Sequence, residues 1–390
     1  MLQSPFSFYR GAALNMAADL SRTPNTGMQV QTCGDCHMMN FGGFASPERR
    51  VLFDINDLDE TLPGPWEWDV KRLAASFVLA CRENNFSASS GRESALACAR
   101  SYRERMAELS AWPALEIWYA SSDVEQVLKR ITDQEARQRL QRRLAKARRQ
   151  SVLEHQFPEL VTGPRARPII KDNRPLIYHD PRQVPDVVQK AFAEYRESLP
   201  KHRRVLLDRF QVVDTAVKVV GVGSVGTACF VILLMASEED PLFLQLKEAR
   251  PSVLERYAGK SKYSNHGQRV VVGCQLMQAA SDIFLGWTSG ASGRSYFMRQ
   301  LRDMKLKPLV NLFTPGVMQQ YAGACGAVLA RAHARTGEPA KLSGYMGKSD
   351  KFDEAIADFS VAYANQCERD HSVLMKAVRQ GKLEVVNEEP

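Results

Sequence analysis

The sequence has 390 residues, of which 44% are hydrophobic and 25% are charged. This composition is typical of a globular protein with a large core, and it excludes a disordered or fibrous chain. The formal net charge is +8. The longest apolar stretch, near residues 229–236, is far shorter than the roughly 18 residues that a membrane helix needs, and the N-terminus lacks the pattern of a secretory signal. We therefore expect a cytoplasmic protein without membrane segments.

The first part of the chain is predicted to be mainly helical. Residues 5–20 favour a helix, and short strands are expected around 28–33 and 50–54. Apolar residues at helical spacing predict helices through most of 66–150. Pro-rich connections follow, and a further helix is predicted near 184–198.

The pattern changes after residue 210, where β-branched and aromatic residues alternate with turns. Strands are predicted around 213–220, 227–235 and 242–247. The Ser-Glu-Glu-Asp-Pro stretch at 237–241 separates the last two and is typical of a hairpin turn. We expect these three strands to form an antiparallel meander.

Beyond the meander, a helix is predicted near 266–280 and strand-like stretches at 282–287 and 295–301. From residue 314 onward the pattern is helical again. This order predicts an α+β fold with two lobes. Residues 1–205 are predicted to form a helical part and residues 206–306 a β-rich part. Residues 307–390 are predicted to form C-terminal helices that pack with the first part.

The excess positive charge is concentrated in residues 129–150, which hold nine Lys or Arg and only two Asp or Glu. The segment lacks Pro and Gly, so a helix is predicted, with Leu140 and Leu144 on its buried face. An anionic partner such as nucleic acid is one interpretation. The absence of interleaved aromatic residues favours a solvated helix face instead.

Residues 33–37 read Cys-Gly-Asp-Cys-His, a spacing found in c-type haem attachment sites and in thioredoxin-like redox pairs. Covalent haem attachment would require export from the cytoplasm. Zinc would require four ligands, and no second pair of Cys or His residues at suitable spacing accompanies Cys33 and Cys36. A redox, haem or metal site at these cysteines is therefore the less favoured interpretation.

The same stretch begins a series of oxygen-bearing side chains. They are Asp35, Asn40, Asp54, Asp57, Asp59 and Glu60. Mg²⁺ prefers oxygen ligands and usually takes one or two carboxylates together with substrate phosphates. The series predicts a Mg²⁺ site with Asn40, Asp54 and Asp57 as ligands.

A glycine-rich turn, Gly-Val-Gly-Ser-Val-Gly, occupies residues 221–226. Such a turn indicates a dinucleotide-binding fold only when a helix follows it, and here a strand is predicted. Strand, glycine-rich turn and strand form the phosphate-covering loop of kinases, in which the third strand carries a lysine. Lys247 occupies that position. The predicted nucleotide contacts in the turn are Gly221, Gly223, Ser224 and Gly226.

These motifs resemble those of aminoglycoside- and choline-type phosphotransferases in the protein-kinase-like superfamily. Residues 33–40 are similar to the His-Gly-Asp-x-His-x-x-Asn catalytic loop, with Cys33 at the position of the first His. Residues 52–60 are similar to the metal motif Ile-Asp-Phe-x-Asp. The motif order is reversed relative to ordinary kinases, so the resemblance implies a circularly permuted kinase-like fold.

The resemblance also implies roles for individual residues. Asp35 would act as the catalytic base, and Asn40 would contribute to catalysis and metal binding. Lys247 would neutralise the ATP phosphates and pair with a helix glutamate. Glu255 is the preferred candidate for that glutamate, ahead of Glu248 and Gln268.

Along nearly its whole length the chain resembles the bacterial family called domain of unknown function 2252. The similar stretches are 4–13, 56–76, 219–227 and 265–271. Together the motifs predict an ATP- and Mg²⁺-dependent phosphotransferase acting on a hydroxyl group of a small molecule or protein. The alternatives are a nucleotidyl transferase and a catalytically silent nucleotide-binding module.

Overall fold

The computed structural model describes most of the chain, in these ranges: 1–149, 157–165, 167–180, 185–219, 227–290, 293–301 and 304–383. Within this part the fold is α+β, as the sequence predicts. Fifteen α-helices and twelve β-strands are formed there.

The helices before the main sheet are α1 (Pro5–Gly11), α2 (Ala13–Leu20), α3 (Trp66–Glu83), α4 (Ala88–Leu109), α5 (Ala114–Tyr119), α6 (Val124–Arg130), α7 (Gln134–Arg149), α8 (Phe157–Leu160), α9 (Pro185–Ser198) and α10 (Lys201–Leu207). The later helices are α11 (Glu255–Ala258), α12 (His266–Met277), α13 (Pro315–Ala334), α14 (Pro339–Met346) and α15 (Lys351–Arg379).

The short strands of the first half are β1 (Gln29–Thr32), β2 (Phe41–Ala45), β3 (Val51–Ile55), β4 (Leu62–Pro65), β5 (Val161–Thr162), β6 (Ile169–Ile170) and β7 (Ile177–Tyr178). The longer strands are β8 (Gln211–Lys218), β9 (Cys229–Ser237), β10 (Asp240–Ala249), β11 (Gly286–Ser289) and β12 (Ser295–Gln300). Six strands form one antiparallel sheet in the order β11-β12-β10-β9-β8-β7. The pairs β1–β4, β2–β3 and β5–β6 form small separate sheets.

The helical part of the molecule is built from both ends of the chain. Helices α3 and α4 pack against α13 and α15, and all four contribute to one large hydrophobic core. The approach of α13 to α4 is close, because a Cβ at Gly326 would lie 2.2 Å from the Cys98 carbonyl oxygen. The N-terminal and C-terminal segments therefore complete a single core.

The six-stranded sheet has a core on each face because side chains alternate along its strands. On β10, Leu244 and Leu246 face the side covered by α9, where Tyr195 is buried. Phe243 points to the opposite side and packs with Ile170 from the segment before the sheet. Lys247 lies four residues after Phe243 on β10, so its side chain points to the same face of the sheet as that of Phe243.

Most predicted elements are confirmed. The meander β8–β9–β10 is antiparallel, and its strands lie within three residues of the predicted bounds. The predicted N-terminal helix is interrupted at Ala12, which separates α1 from α2. The basic segment forms the end of α6 and all of α7, and Leu144 is buried as predicted.

No helix in the described ranges combines the length and the apolar character that crossing a bilayer requires.

Candidate functional site

The loop after β1 contacts the loop after β3 at Gly34. Gly34 has a φ of +80°, a conformation that glycine adopts at little cost. A Cβ here would lie 2.3 Å from the Glu60 carbonyl oxygen, so the close approach also requires glycine. The two stretches predicted to carry the catalytic and metal-binding residues are therefore in direct contact.

Asp69, on the first turn of α3, holds the start of the loop. Its two carboxylate oxygens accept hydrogen bonds from the backbone N–H groups of Cys33 at 2.6 Å and Gly34 at 3.2 Å. One of them also lies 3.1 Å from His333 Nε2, and Tyr102 contacts the other ring nitrogen of His333 at 2.9 Å. Asp69 therefore braces the start of this loop against α3 and His333.

Asp35 is oriented by a buried arginine. Its Oδ1 accepts hydrogen bonds from Arg72 Nε at 2.9 Å and from Arg72 Nη2. The Arg72 guanidinium stacks on the Tyr9 ring at 4.5 Å and donates to the Tyr9 carbonyl, so it is fixed from two sides. The Asp35 side chain remains 19% exposed. Its second oxygen, Oδ2, lies 3.7 Å from His37 Nε2.

Asn40 connects the two loops through the hairpin β2–β3. Its side-chain Nδ2 donates to the Asp35 carbonyl at 2.9 Å, which leaves the amide oxygen for a ligand. Its own carbonyl accepts from the Asn56 N–H at 2.7 Å. Because Asn56 directly precedes Asp57, the hairpin brings Asn40 and Asp57 to the same end of the small sheet.

Asp57 and Asp59 form a pair of neighbouring carboxylates beside Lys247. Lys247 Nζ lies 2.5 Å from Asp59 Oδ2. The Oδ1 atoms of Asp57 and Asp59 are both buried and have no hydrogen-bond partner among the described residues. Burial favours the neutral form of Asp57, but the nearby Lys247 and Arg299 cations outweigh it and hold the pKa of Asp57 well below its usual range. Burial and the adjacent Asp57 charge raise the pKa of Asp59.

Two arginines support this loop from the sheet side. Arg269, on α12, donates to the carbonyls of Thr61 at 2.6 Å and Asp59 at 2.8 Å. It also reaches the Arg250 carbonyl at the end of β10, so it joins the loop to the sheet. Arg299, on β12, donates to the Asn56 carbonyl at 3.2 Å.

Asp54, predicted as a metal ligand, has a different environment. It is buried, and one oxygen accepts from Arg331 Nη2 and from the Ile55 N–H. The other accepts from the Ala279 N–H at 2.8 Å. Both oxygens thus bind donors of the protein itself, and the metal role of Asp54 stays a prediction that its geometry does not favour.

The predicted ion pair between Lys247 and Glu255 is not formed in the described structure. Lys247 faces the loop after β3 and pairs with Asp59, whereas Glu255 lies on α11, 3.7 Å from His266 Nδ1. Glu248, an alternative candidate, accepts from the Ala228 N–H and pairs with Arg250. The lysine side chain follows the pleat of β10 towards Asp59, which explains the difference.

The glycine-rich turn lies outside the described residues, and with it Gly221, Gly223, Ser224 and Gly226. The strands that flank the turn are described. Their pairing, with Val217 opposite Phe230, confirms that it connects two antiparallel strands.

Cys33 and Cys36 lie with Asp69 in a buried cluster whose ligand atoms are within 4.8 Å of one another. Burial raises the pKa of both thiols, that of Cys36 to about 12, so both are protonated at neutral pH. A zinc site needs thiolates and usually a fourth ligand. The Asp69 carboxylate already accepts two backbone hydrogen bonds. The environment therefore favours a structural role for the cysteines.

A cavity of about 190 Å³ opens beside the carboxylate pair. Asn56 and Arg299 line it, together with residues of the β2–β3 hairpin and Lys305. Lys305 is exposed at its edge. The cavity therefore offers a ligand cationic groups close to Asp57.

Several of these contacts were not predicted from the sequence, notably those of Arg72, Arg269 and Arg299. Arg72 and Arg269 fall within stretches that carry the family resemblance, and this was the available signal for them. Asp59 appeared in the oxygen-rich series without an assigned role.

Comparison with known proteins gives one match. The profile of a family described as an uncharacterized protein conserved in bacteria, DUF2252, matches residues 1–377. The chain belongs to the DUF2252 family. Neither the curated proteins nor the solved structures contain a significant match to this DUF2252 chain.

Proposed function

We propose that this chain is an ATP- and Mg²⁺-dependent phosphotransferase with a circularly permuted kinase-like fold. The observation that carries the proposal is the contact between Lys247 and the Asp57–Asp59 loop, across 188 residues of sequence. A kinase requires its third-strand lysine and its metal-binding aspartate in one place. Here both come together although their order in the chain is reversed.

The carboxylate pair has the chemistry of a Mg²⁺ site. Among the described residues, the buried Oδ1 atoms of Asp57 and Asp59 have no hydrogen-bond partner, and leaving such an atom unpaired is costly unless a ligand binds it. Asn40 has an amide oxygen at the same end of the hairpin. When bound, Mg²⁺ would neutralise charge on the phosphates. Asp57 and Asp59 are the proposed carboxylate ligands, with Asn40 as the third.

The cations beside this pair would bind the phosphates. Lys247 Nζ and Arg299 Cζ lie 5.6 and 5.8 Å from the centroid of the Phe297 ring. Both cations therefore lie on one side of the candidate site. In the structure Lys247 binds Asp59. Phosphate binding would release it from the carboxylate.

Asp35 would accept the proton of the acceptor hydroxyl or orient that hydroxyl. Arg72 occupies its Oδ1, so Oδ2 is the oxygen that remains for the substrate. The contact between Gly34 and Glu60 supports this role, because it brings the loop of Asp35 against the loop that carries the proposed metal ligands. Phosphoryl transfer depends mainly on such positioning and on charge neutralisation.

The proposal is tested by incubating the full chain and pools of candidate acceptors with Mg²⁺ and ATP labelled on the α- or γ-phosphate. We expect label transfer from the γ-position only. Asp57→Asn should lower the rate by about 10²-fold or more, as loss of a transition-state charge contact does. Glu93→Gln, on an exposed position of α4, is the matched control and should keep the full rate.

The outcomes separate the alternatives. Transfer of the α-label would indicate a nucleotidyl transferase. Mg²⁺-dependent ATP binding by calorimetry without any transfer would favour a silent binding module. No ATP binding at all would contradict the proposal, and a metal or chromophore lost in Cys33→Ser would point to the cysteines.

A further inference from the structure

We propose that an apolar cavity between the basic helix and α13 binds a small amphipathic carboxylate, such as a medium-chain fatty acid. The cavity measures about 120 Å³. It is separate from the carboxylate pair of Asp57 and Asp59, and its ligand does not depend on the proposed phosphotransferase activity.

The walls of the cavity are hydrophobic. Phe53, Phe313 and Tyr321 form an aromatic side, in which the Tyr321 ring contacts the other two at 5.7 and 5.4 Å between centroids. Val127 of α6 and Leu140 of α7 lie on the other side. A cavity of about 150 Å³ with such walls binds benzene. The space here therefore fits the end of an alkyl chain or one aromatic ring.

Part of the mouth of the cavity is apolar. Leu309 and Leu312 line it and are 38% and 45% exposed. Exposed leucines at the entrance to an enclosed apolar space provide a continuous surface for a chain longer than the cavity itself.

The charged side chains that line the cavity are cationic, and one of them, Arg139, is also paired with the exposed Glu135 at 3.5 Å. Among the described residues, the lining of the cavity includes no Asp or Glu. It includes four cationic residues: Arg130, Arg139, Arg143 and Lys307. Arg139 and Arg143 belong to α7, and their Nη2 atoms lie 3.3 and 2.8 Å from the carbonyls of Leu312 and Lys307. These contacts hold the guanidinium groups at the mouth. A carboxylate there would be attracted, and an ammonium group would be repelled.

The cavity also adjoins the candidate site. Tyr321, on its wall, donates through its hydroxyl to the carbonyls of Met38 and Phe41, each at 3.0 Å. These two residues flank the segment that contains Asn40. A bound ligand would therefore pack against a side chain that holds the catalytic loop.

Calorimetry and thermal unfolding with octanoate as the probe test the proposal, and octylammonium, with the same chain and opposite charge, is the control ligand. We expect saturable octanoate binding at one site, about tenfold or more tighter than octylammonium. Val127→Trp fills the cavity and should abolish binding. Val205→Trp, on an exposed position of α10, adds the same side chain elsewhere and should not affect binding.

A second pair of variants tests the charge without changing the cavity walls. Arg139→Gln with Arg143→Gln should weaken octanoate binding about tenfold, whereas Arg142→Gln, exposed on the same helix, should leave it unchanged. Equal binding of octylammonium, or full binding by Val127→Trp, would overturn the proposal. Binding to phosphatidylglycerol vesicles without octanoate binding would also overturn it, because the basic face would then recognise a lipid surface.

Discussion

The imidazole of His37 is buried in the loop after β1. Burial lowers its pKa to about 4, and the Asp35 charge offsets only part of that effect. In the unfolded chain the group would protonate near its ordinary pKa of 6.5. The unfolded state therefore binds more protons between these two values, and the folded state loses stability as the pH falls from 6.5 towards 4.

The titration of His37 predicts that the free energy of unfolding depends more strongly on pH in the protein than in His37→Gln, because glutamine does not titrate. Between pH 7 and pH 4 the protein should lose about 3 kcal/mol more of its free energy of unfolding than the variant. Urea unfolding at a series of pH values measures the free energy of unfolding of the protein and of the variant. Equal losses in the two proteins would show that folding does not lower the pKa of His37.

Asp54 and Asp57 illustrate how far the sequence predicts single residues. Both are carboxylates in one loop region, and the sequence predicts oxygen ligands there. It does not distinguish them, because the donor that occupies Asp54 is Arg331, 277 residues further along the chain. For Lys247 the sequence suggested Glu255 as the partner, whereas in the described structure it pairs with Asp59, because the direction of its side chain depends on the strand pairing.

At the scale of elements, the close contact between α4 and α13 depends on Gly326. A Cβ at Gly326 would clash with the Cys98 carbonyl, whereas one at Gly316, on the first turn of α13, would have no atom within 4 Å. Gly326→Ala should therefore lower the free energy of unfolding by about 1–3 kcal/mol. Gly316→Ala should leave it unchanged or raise it by up to about 1 kcal/mol.

Chemical denaturation of the two variants measures the difference on one helix. If both glycines tolerate alanine equally, the close packing of α4 against α13 is not what holds this core together.

The sequence predicted the long elements well and the short ones poorly. Strands β8, β9 and β10 have enough residues to display an alternating pattern, and their pairing followed from the turns between them. Strands β5 and β6 have two residues each, too few for any periodicity. They exist because they pair with each other beside the main sheet.

At the scale of the molecule, the helical core requires both ends of the chain. Its buried residues come from α3 and α4 and also from α13 and α15. A fragment of residues 1–149 should therefore lack a cooperative unfolding transition in circular dichroism, because α13 and α15, which pack against α3 and α4, are missing. A fragment that unfolds cooperatively at the midpoint of the full chain would contradict this description.

The reversed, kinase-like motif order stays a prediction from the sequence resemblance. Sequence patterns place each motif on its element, but they do not determine which distant elements meet. The loops of Asp35 and Asp57 meet through Gly34, and Lys247 reaches them from a separate sheet.

The central claim is that Asp57, Asp59 and Lys247 form one metal–nucleotide site. A crystal structure of the full chain with Mn²⁺ and a non-hydrolysable ATP analogue tests it most directly, using the anomalous signal of the metal. The account predicts a metal peak on Asp57 and Asp59 at about 2.0–2.3 Å, with the phosphates beside Lys247. A structure without nucleotide in this position, or with the metal on Cys33 and Cys36, would contradict it.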